Sequence, residues 1–216
     1  MRLCIALVNM KPGVGKTTSA VWLSHAMAEL GSVLLVDADP ARSALEWAEM
    51  VGNQGFPFRV VGLPMRDVHD RIGSIARPDD LVVIDAPQLE DHAGIARSTL
   101  RCADEIVIPC APTPIEVHRT TPMLQEIADA NALRKTPARV SVLLTRSVAQ
   151  ANSTADARQA LTELGYEVLR YPVPRLELYA QSFGGPVTAA GADLWRDIAG
   201  ELMFRAGLAI TGGVQS

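Results

Sequence analysis

The stretch NMKPGVGKTT, residues 9–18, decides the fold. It follows the apolar run Leu3–Val8, which is typical of a buried strand, and it precedes a segment with helical spacing. Gly13 and Gly15 let successive backbone N–H groups form a concave anion site, and a helix that begins near Lys16 favours a phosphate at its N-terminus. The order of strand, glycine loop, lysine and helix therefore predicts a phosphate-binding loop.

The loop also concentrates compact positive charge. Of the 20 Lys and Arg side chains only three are lysines, and two of these, Lys11 and Lys16, lie in the loop. A lysine offers a point charge on a flexible stem, which suits the β- and γ-phosphate oxygens of a nucleotide, and Thr17 is the expected Mg²⁺ ligand. We predict Mg-ATP as the ligand; a glycine-rich turn without a ligand is the alternative. The expected nucleotide contacts are Gly13, Val14, Gly15, Lys16, Thr17 and Thr18.

Carboxylates end two further buried strands. In LLVDADP, residues 34–40, Asp37 and Asp39 close an apolar run, and in LVVIDAP, residues 81–87, Asp85 does the same. Charges in such places are costly unless a bound Mg²⁺ or an activated water balances them. A helix N-cap would explain one of the first two aspartates but not both. The second motif is similar to a Walker B strand, whose acid holds Mg²⁺ through water.

Short apolar runs alternate with helical segments along the whole chain. The runs are Leu3–Val8, Val33–Val36, Phe58–Val61, Leu81–Ile84, Ile106–Ile108, Val140–Leu144 and Val168–Tyr171. This alternation favours right-handed crossovers between parallel strands. We predict an α/β, three-layer P-loop NTPase fold with a mostly parallel twisted central sheet and helices on both faces, as a single domain over residues 1–216.

Composition argues against several other classes of protein. The chain is 48% hydrophobic and 20% charged, as in ordinary globular proteins, and its apolar runs are far shorter than the roughly 20 residues of a membrane-spanning helix. Cys4, Cys102 and Cys110 lie far apart in apolar runs, which favours buried reduced thiols over a disulfide or metal site. The tail, residues 193–216, has few basic residues and favours a core-packed helix over a membrane anchor. We expect a cytoplasmic protein.

The loop with a lysine at Lys11 resembles the deviant Walker A box of the ParA/MinD ATPases. The resemblance continues through LLVDADP and Asp85. The segment IPCAPTPIEV, residues 108–117, is similar to the proline-containing turn after the family's fifth strand, and PVPRLELYAQSFGGPV, residues 172–187, to its adenine-side loop. The chain is most like the small ParA-type partitioning ATPases, which lack an N-terminal DNA-binding domain.

The resemblance implies roles for individual residues. Lys11 would reach across an ATP-dependent homodimer to the nucleotide of the partner subunit, as an arginine finger does. Asp39 would position the attacking water, with Asp37 and Asp85 near the Mg²⁺. The implied catalytic residues are thus Lys11, Lys16 and Asp39, the metal ligands are Thr17, Asp37 and Asp85, and the base-side contacts are Arg146, Pro172 and Pro174.

Three positions depart from the family pattern. Pro12 stands where glycine is usual, which removes one N–H from the loop. Ala41 replaces the usual glutamine, and TRS at residues 145–147 replaces a turn that usually contains asparagine. These departures bear on the phosphate geometry beside Lys11 and on the contacts to the base.

The function that the resemblance implies is DNA partitioning, of a plasmid or a chromosome, with stimulation by a centromere-binding ParB/ParG-like partner. The dimer would bind nucleoid DNA nonspecifically and so be nucleoid-associated. Residues 134–175 carry more basic than acidic side chains, and the arginines expected to bind DNA are scattered near the C-terminal half, at Arg139, Arg170, Arg175, Arg196 and Arg205. The alternative is an orphan ParA-like or MinD-like ATPase that positions another cellular cargo.

Other function classes make different demands on the sequence. A nitrogenase-type iron protein needs a cysteine pair at a dimer axis, and a MinD-type membrane switch needs a basic amphipathic C-terminal helix. A P-loop kinase or ligase predicts an acceptor pocket and no early lysine. A binding module without ATPase activity would bind nucleotide without turnover.

Overall fold

The computed structural model describes residues 1–52 and 55–208. In chain order its elements are β1 (Leu3–Leu7), α1 (Lys16–Ala28), β2 (Val33–Asp37), α2 (Ser43–Val51), β3 (Arg59–Gly62), α3 (Val68–Ile75), β4 (Leu81–Asp85), α4 (Leu89–Cys102), β5 (Glu105–Cys110), α5 (Pro114–Ala132), β6 (Arg139–Leu144), α6 (Ser153–Glu163), β7 (Glu167–Val168), α7 (Glu177–Ala180) and α8 (Ala192–Arg205).

The seven strands form one parallel sheet in the order β3-β2-β4-β1-β5-β6-β7. Alternate residues of a strand point to opposite faces, so β1 contributes to two cores. Cys4 and Ala6 pack on the face covered by α3, α4, α5 and α6, whereas Ile5 and Leu7 pack on the face covered by α1, α2 and α8. The predicted three-layer fold with a parallel sheet is confirmed.

Several element ends differ from the sequence prediction, and two of the differences have local reasons. The helical spacing of residues 41–51 predicts a helix from Ala41, but α2 begins at Ser43, because the Arg42 N–H donates to the Asp39 carbonyl at 2.9 Å and Arg42 takes a left-handed φ of 56°. Strand β7 ends at Val168 rather than Tyr171. The Glu201 carboxylate of α8 accepts the N–H of Arg170 at 2.9 Å, which replaces a bond to the sheet.

Helix α8 packs into the core, as its apolar spacing predicts. Trp195, Ile198 and Leu202 are each at most 1% exposed. Within residues 1–52 and 55–208 no helix is long and apolar enough to cross a membrane. The end of the tail, residues 209–216, lies outside the described residues.

The carboxyl ends of the central strands bring the predicted acids together. Asp37, the last residue of β2, is in register with Asp85, the last residue of β4, and β4 pairs with β1 on its other side. The loop that follows β1 therefore lies over the same edge of the sheet. This edge is where ligands bind in open parallel sheets.

Candidate nucleotide-binding site

The loop between β1 and α1 has the backbone geometry of an anion site. Gly13 and Gly15 take left-handed φ angles of 76° and 90°, which L-residues with a Cβ rarely adopt. Gly15 is the N-cap of α1, and no side chain caps this helix. The N–H groups of the first turn are therefore open to a phosphate, at the positive end of the helix dipole.

Lys16 is held beside these N–H groups as a largely desolvated cation. The residue is 7% exposed, and its Nζ donates to the carbonyl oxygen of Lys11 at 3.3 Å. Burial lowers the pKa of the Lys16 ammonium, while the negative charges of Asp85 and Asp39 act in the opposite direction. A phosphate would supply the anion that this buried ammonium lacks at short range.

Thr17 and Asp85 form the second part of the site. The Thr17 hydroxyl donates to Asp85 Oδ2 at 2.6 Å, and Asp85 Oδ1 is buried without a hydrogen-bond partner among the described residues. Burial raises the pKa of the Asp85 carboxyl to about 7. An orphaned carboxylate oxygen beside a hydroxyl is the donor set that Mg²⁺ prefers, so these residues fit the metal.

The metal would also need ligands from the nucleotide. Among residues 1–52 and 55–208 there is no group of three or more His, Cys, Asp or Glu side chains able to hold a metal ion. Mg²⁺ commonly binds through one or two carboxylates together with substrate phosphates. The site is therefore suited to Mg²⁺ that arrives with ATP.

Asp37 and Asp39 have different surroundings. The fully buried Asp37 accepts the N–H groups of Asp39 at 3.1 Å and Leu45 at 2.9 Å, so both its oxygens bind the entry to α2. Burial raises the pKa of the Asp37 carboxyl. The half-buried Asp39 accepts the Ala41 N–H at 2.9 Å and lines the phosphate-side cavity described next. Asp37 thus binds backbone N–H groups at the start of α2, and its role as a metal ligand stays a prediction.

Two adjoining cavities meet at the loop. The phosphate-side cavity, of about 450 Å³, is lined by Pro12, Gly13, Gly15, Lys16, Thr17, Thr18, Asp39, Ala41, Gln88, His92 and Arg146. The base-side cavity, of about 870 Å³, shares the glycines and Arg146 and is otherwise bounded by residues that include Val14, Pro112, Thr145, Pro174 and Tyr179. Each has the volume expected for a small-molecule cleft.

Of the three predicted base-side residues, two line a cavity and one does not. Arg146, with a left-handed φ of 56°, is exposed and borders both cavities. Pro174 lines the base-side cavity, whereas Pro172 is outside the lining of either cavity. The Thr145 hydroxyl donates to the Val14 carbonyl oxygen at 3.2 Å and so ties this region to the loop.

Lys11 lies at the rim of the site. Its Nζ forms an ion pair with Glu90 of α4, with 36% of the Lys11 side chain exposed. The start of α4 is also bound to the loop by backbone hydrogen bonds, from Leu89 to the Asn9 oxygen at 3.1 Å and from Glu90 to the Met10 oxygen at 3.3 Å. The early lysine is therefore accessible but held by its own chain.

Gln88 and His92 are not among the site residues predicted from the sequence. Both are half-buried residues at the beginning of α4 that line the phosphate-side cavity. Their only signal in the sequence is that they follow the acid Asp85 at the end of β4, in the strand-to-helix turn where ligand contacts are expected.

Three of the five arginines predicted to bind DNA are already paired with carboxylates. Arg139 and Arg205 both contact the fully buried Glu105, and Arg196 contacts Glu29. Arg170 lies over the Tyr171 ring, and Arg175 lines the base-side cavity. Ion pairing removes much of the charge that these side chains could offer to phosphates, so the prediction that they form a DNA-binding face is weakened.

The pKa of Asp85 predicts how stability depends on pH. Between its ordinary value near pH 4 and its folded value of about 7, the folded chain keeps a proton that the unfolded chain has released. This stabilising contribution is lost as pH rises through 7. The free energy of unfolding of the nucleotide-free protein should fall by roughly 3 kcal/mol for this group between pH 5 and pH 8.

Urea denaturation of the wild type and of Asp85→Asn at both pH values checks this expectation. The asparagine cannot titrate, so the variant should lose less stability between pH 5 and pH 8 than the wild type does. An identical pH dependence in the two proteins would show that Asp85 is already ionised at pH 5.

Comparisons with known proteins agree with this geometry. The sequence profile of the family described as CbiA, the CobQ/CobB/MinD/ParA nucleotide binding domain, matches residues 5–186. Maintenance of carboxysome distribution protein A of Halothiobacillus neapolitanus is 31% identical over 180 residues, which cover 81% of each protein. Its namesake in Gloeobacter kilaueensis is 39% identical over 116 residues, 52% of this chain and 51% of the relative, so the match spans about half the length of that relative.

A chromosome-partitioning ATPase and two solved structures are also similar. Soj of Thermus thermophilus is 26% identical over 242 residues, 93% of this chain and 95% of Soj. The structure of Cyanothece McdA with ATP has a TM-score of 0.75 at 17% identity and covers 98% of both chains. That of Pyrococcus horikoshii MinD with Mg-ADP has a TM-score of 0.72 at 19% identity, covering 95% of this chain and 97% of MinD. At these identities the structures show the shared fold.

Proposed function

Because the chain belongs to the CobQ/CobB/MinD/ParA nucleotide-binding family, we propose that it is a Mg-dependent ATPase that dimerises on ATP and positions a cellular cargo. The observation that carries the proposal is the phosphate-side cavity. It combines open N–H groups at the start of α1, the buried ammonium of Lys16, and the Thr17–Asp85 pair with its orphaned oxygen.

In the proposed reaction the loop and Lys16 bind the phosphates of ATP. Mg²⁺, held by Thr17 and near Asp85, would neutralise phosphate charge. Asp39 would orient the attacking water, since its Oδ1 is fixed by the Ala41 N–H and its other oxygen has no hydrogen bond among the described residues. The site would thus act by positioning and electrostatics rather than by covalent chemistry.

The role proposed for Lys11 requires a second copy of the chain. Lys11 lines neither cavity, and its charge is balanced by Glu90, whose side chain is 40% exposed. Exchange of Glu90 for a phosphate of the partner subunit's ATP would link nucleotide binding to dimerisation. ATP hydrolysis would then release the dimer.

Positioning of a cargo other than DNA is better supported than the DNA partitioning predicted from sequence. Two relatives carry names that refer to the distribution of carboxysomes, and one of them matches 81% of this chain, whereas Soj is named for chromosome partitioning at a lower identity. The pairing of three of the predicted arginines also weakens the DNA-binding face proposed from sequence. We therefore propose a partner protein carried by the cargo rather than a centromere-binding ParB/ParG-like protein.

The catalytic part of the proposal is tested with Asp39→Ala. The variant should bind Mg-ATP nearly as well as the wild type but hydrolyse it roughly tenfold to a hundredfold more slowly, because the water is no longer oriented. Phosphate release under single-turnover conditions measures the effect. Asp79→Ala, which removes an exposed carboxylate outside both cavities, is the matched control. Turnover at the wild-type rate in Asp39→Ala would refute the role.

The cargo is tested by deleting the gene in its host. If the proposal holds, plasmids and chromosomes are inherited normally while one large cellular body loses its regular distribution, and an Asp39→Ala copy fails to restore that distribution. Loss of a plasmid or of chromosome segregation, with all such bodies in their normal places, would instead support DNA partitioning.

A further inference from the structure

The phosphate-side cavity has a second wall besides the glycine loop. This wall is formed by the start of α4, where Gln88 and His92 line the same cavity as Lys16 and Asp39. Neither residue lines the base-side cavity. The second wall therefore adjoins the end of the site where Asp39 and Thr17 lie, away from the region expected to hold the base.

His92 interrupts the helix at this wall. Its φ of −130° and ψ of 42° are not helical, although residues on both sides belong to α4, and its N–H donates to the Gln88 carbonyl oxygen at 3.1 Å. Since α4 follows directly on Asp85 and is bound to the loop through Asn9 and Met10, the interruption lies in a segment connected to both sides of the site.

The imidazole of His92 is not used by the fold. Within residues 1–52 and 55–208 it has no hydrogen bond and no ion pair, unlike His69, whose Nδ1 lies 2.7 Å from Ser98 Oγ. The ring is half-buried and borders a cavity that already contains the ammonium of Lys16 and the guanidinium of Arg146. A ring N–H in such a place suits an anionic oxygen.

On the basis of the proposed ATPase function, we infer that His92 is a phosphate-binding residue that donates a hydrogen bond to the terminal phosphate of ATP. The open N–H groups of the loop and the start of α1 suffice for the inner phosphates. A group on the second wall, which like Asp39 borders the phosphate-side cavity and not the base-side cavity, is placed for the outermost phosphate. His92 therefore distinguishes ATP from ADP. Because His92 lies in the interrupted part of α4, the helix that also holds Lys11, binding of the terminal phosphate is coupled to the position of Lys11.

The test compares affinities for β,γ-imido-ATP and ADP, each with Mg²⁺, by calorimetry. His92→Ala should bind the ATP analogue about tenfold more weakly, as for a lost hydrogen bond to a charged group, and should bind ADP as the wild type does. His92→Asn and His92→Gln keep a side-chain N–H, and one of these two variants should recover most of the lost affinity. His118→Ala, at an exposed histidine of α5, is the matched control and should change neither affinity.

Two results would overturn the assignment. Equal weakening for the two nucleotides in His92→Ala would indicate a general distortion of the site, and unchanged affinity for the ATP analogue would remove the contact. If the alanine variant does not fold, His92→Asn and His92→Gln are compared with each other. The contact is supported if only one of them keeps the wild-type ratio of the affinities for the ATP analogue and ADP. A wild type that binds neither nucleotide would overturn the proposed function itself. The results with the His92 variants alone would leave the proposed function unaffected.

Discussion

The Lys16→Ala variant is expected to bind Mg-ATP roughly a hundredfold more weakly than the wild type, a loss of about 3 kcal/mol. Lys16 is 7% exposed and lies between the open N–H groups of α1 and the acids Asp85 and Asp39. Its removal leaves the triphosphate without the buried ammonium at the first residue of α1. Titration with a fluorescent ATP analogue measures the loss.

Lys135→Ala is the matched control for this change. It removes the third lysine of the chain, which is exposed and borders neither cavity. The net charge changes by the same amount in the two variants, so a general electrostatic effect would weaken binding equally. Equal affinities for Lys16→Ala and the wild type would show that ATP does not bind at this loop.

The Lys11→Ala variant is expected to lose the ATP-driven dimer while keeping most of its affinity for ATP as a monomer. Lys11 is 36% exposed and contacts Glu90 rather than the floor of its own cavity, so its proposed use is at the nucleotide of a partner subunit. We expect the dimer with Mg²⁺ and β,γ-imido-ATP to be weakened roughly a hundredfold. Sedimentation velocity over a range of protein concentrations measures the change.

Glu90→Gln separates the loss of the ammonium from the loss of its ion pair. This variant keeps Lys11 but removes the carboxylate that holds it, so the ATP-driven dimer should persist. A Lys11→Ala protein that dimerises with ATP as readily as the wild type would refute the intermolecular role, even if nucleotide binding is normal.

The loop and the parallel sheet could be predicted from sequence because their causes are local. Gly13 and Gly15 are needed for left-handed backbone angles, and apolar runs of five or six residues define the strands whatever lies around them. The register of Asp37 with Asp85 follows from the parallel order of the sheet. The glycine loop and the acids that end β2 and β4 thus lie at the carboxyl edge of the sheet, where local patterns in the sequence predict them.

The remainder of the site depends on contacts between distant residues. The Lys11–Glu90 ion pair joins side chains 79 positions apart, and the sequence offers no reason to choose this acid over its neighbours. The same limit applies to Arg205, whose partner Glu105 is 100 positions away. An arginine in a basic stretch cannot be assigned to DNA until its own carboxylate partners are known.

The position of His92 at the cavity could not be predicted from the sequence for a different reason. The interruption at φ −130° and ψ 42° is a property of the folded turn after Asp85. The role of Asp37 could not be predicted either: its carboxylate accepts the Leu45 N–H in the first turn of α2, although the N-cap of that helix is Arg42 and not an aspartate.

Isothermal titration of the wild-type protein with Mg²⁺ and β,γ-imido-ATP tests most directly whether this cavity is a nucleotide site. We predict a saturable heat with one nucleotide bound per chain, which disappears over the same concentration range in Lys16→Ala and is retained in Lys135→Ala. No heat of association with the wild type, together with no displacement of a fluorescent ATP analogue, would contradict the proposal that this cavity binds ATP.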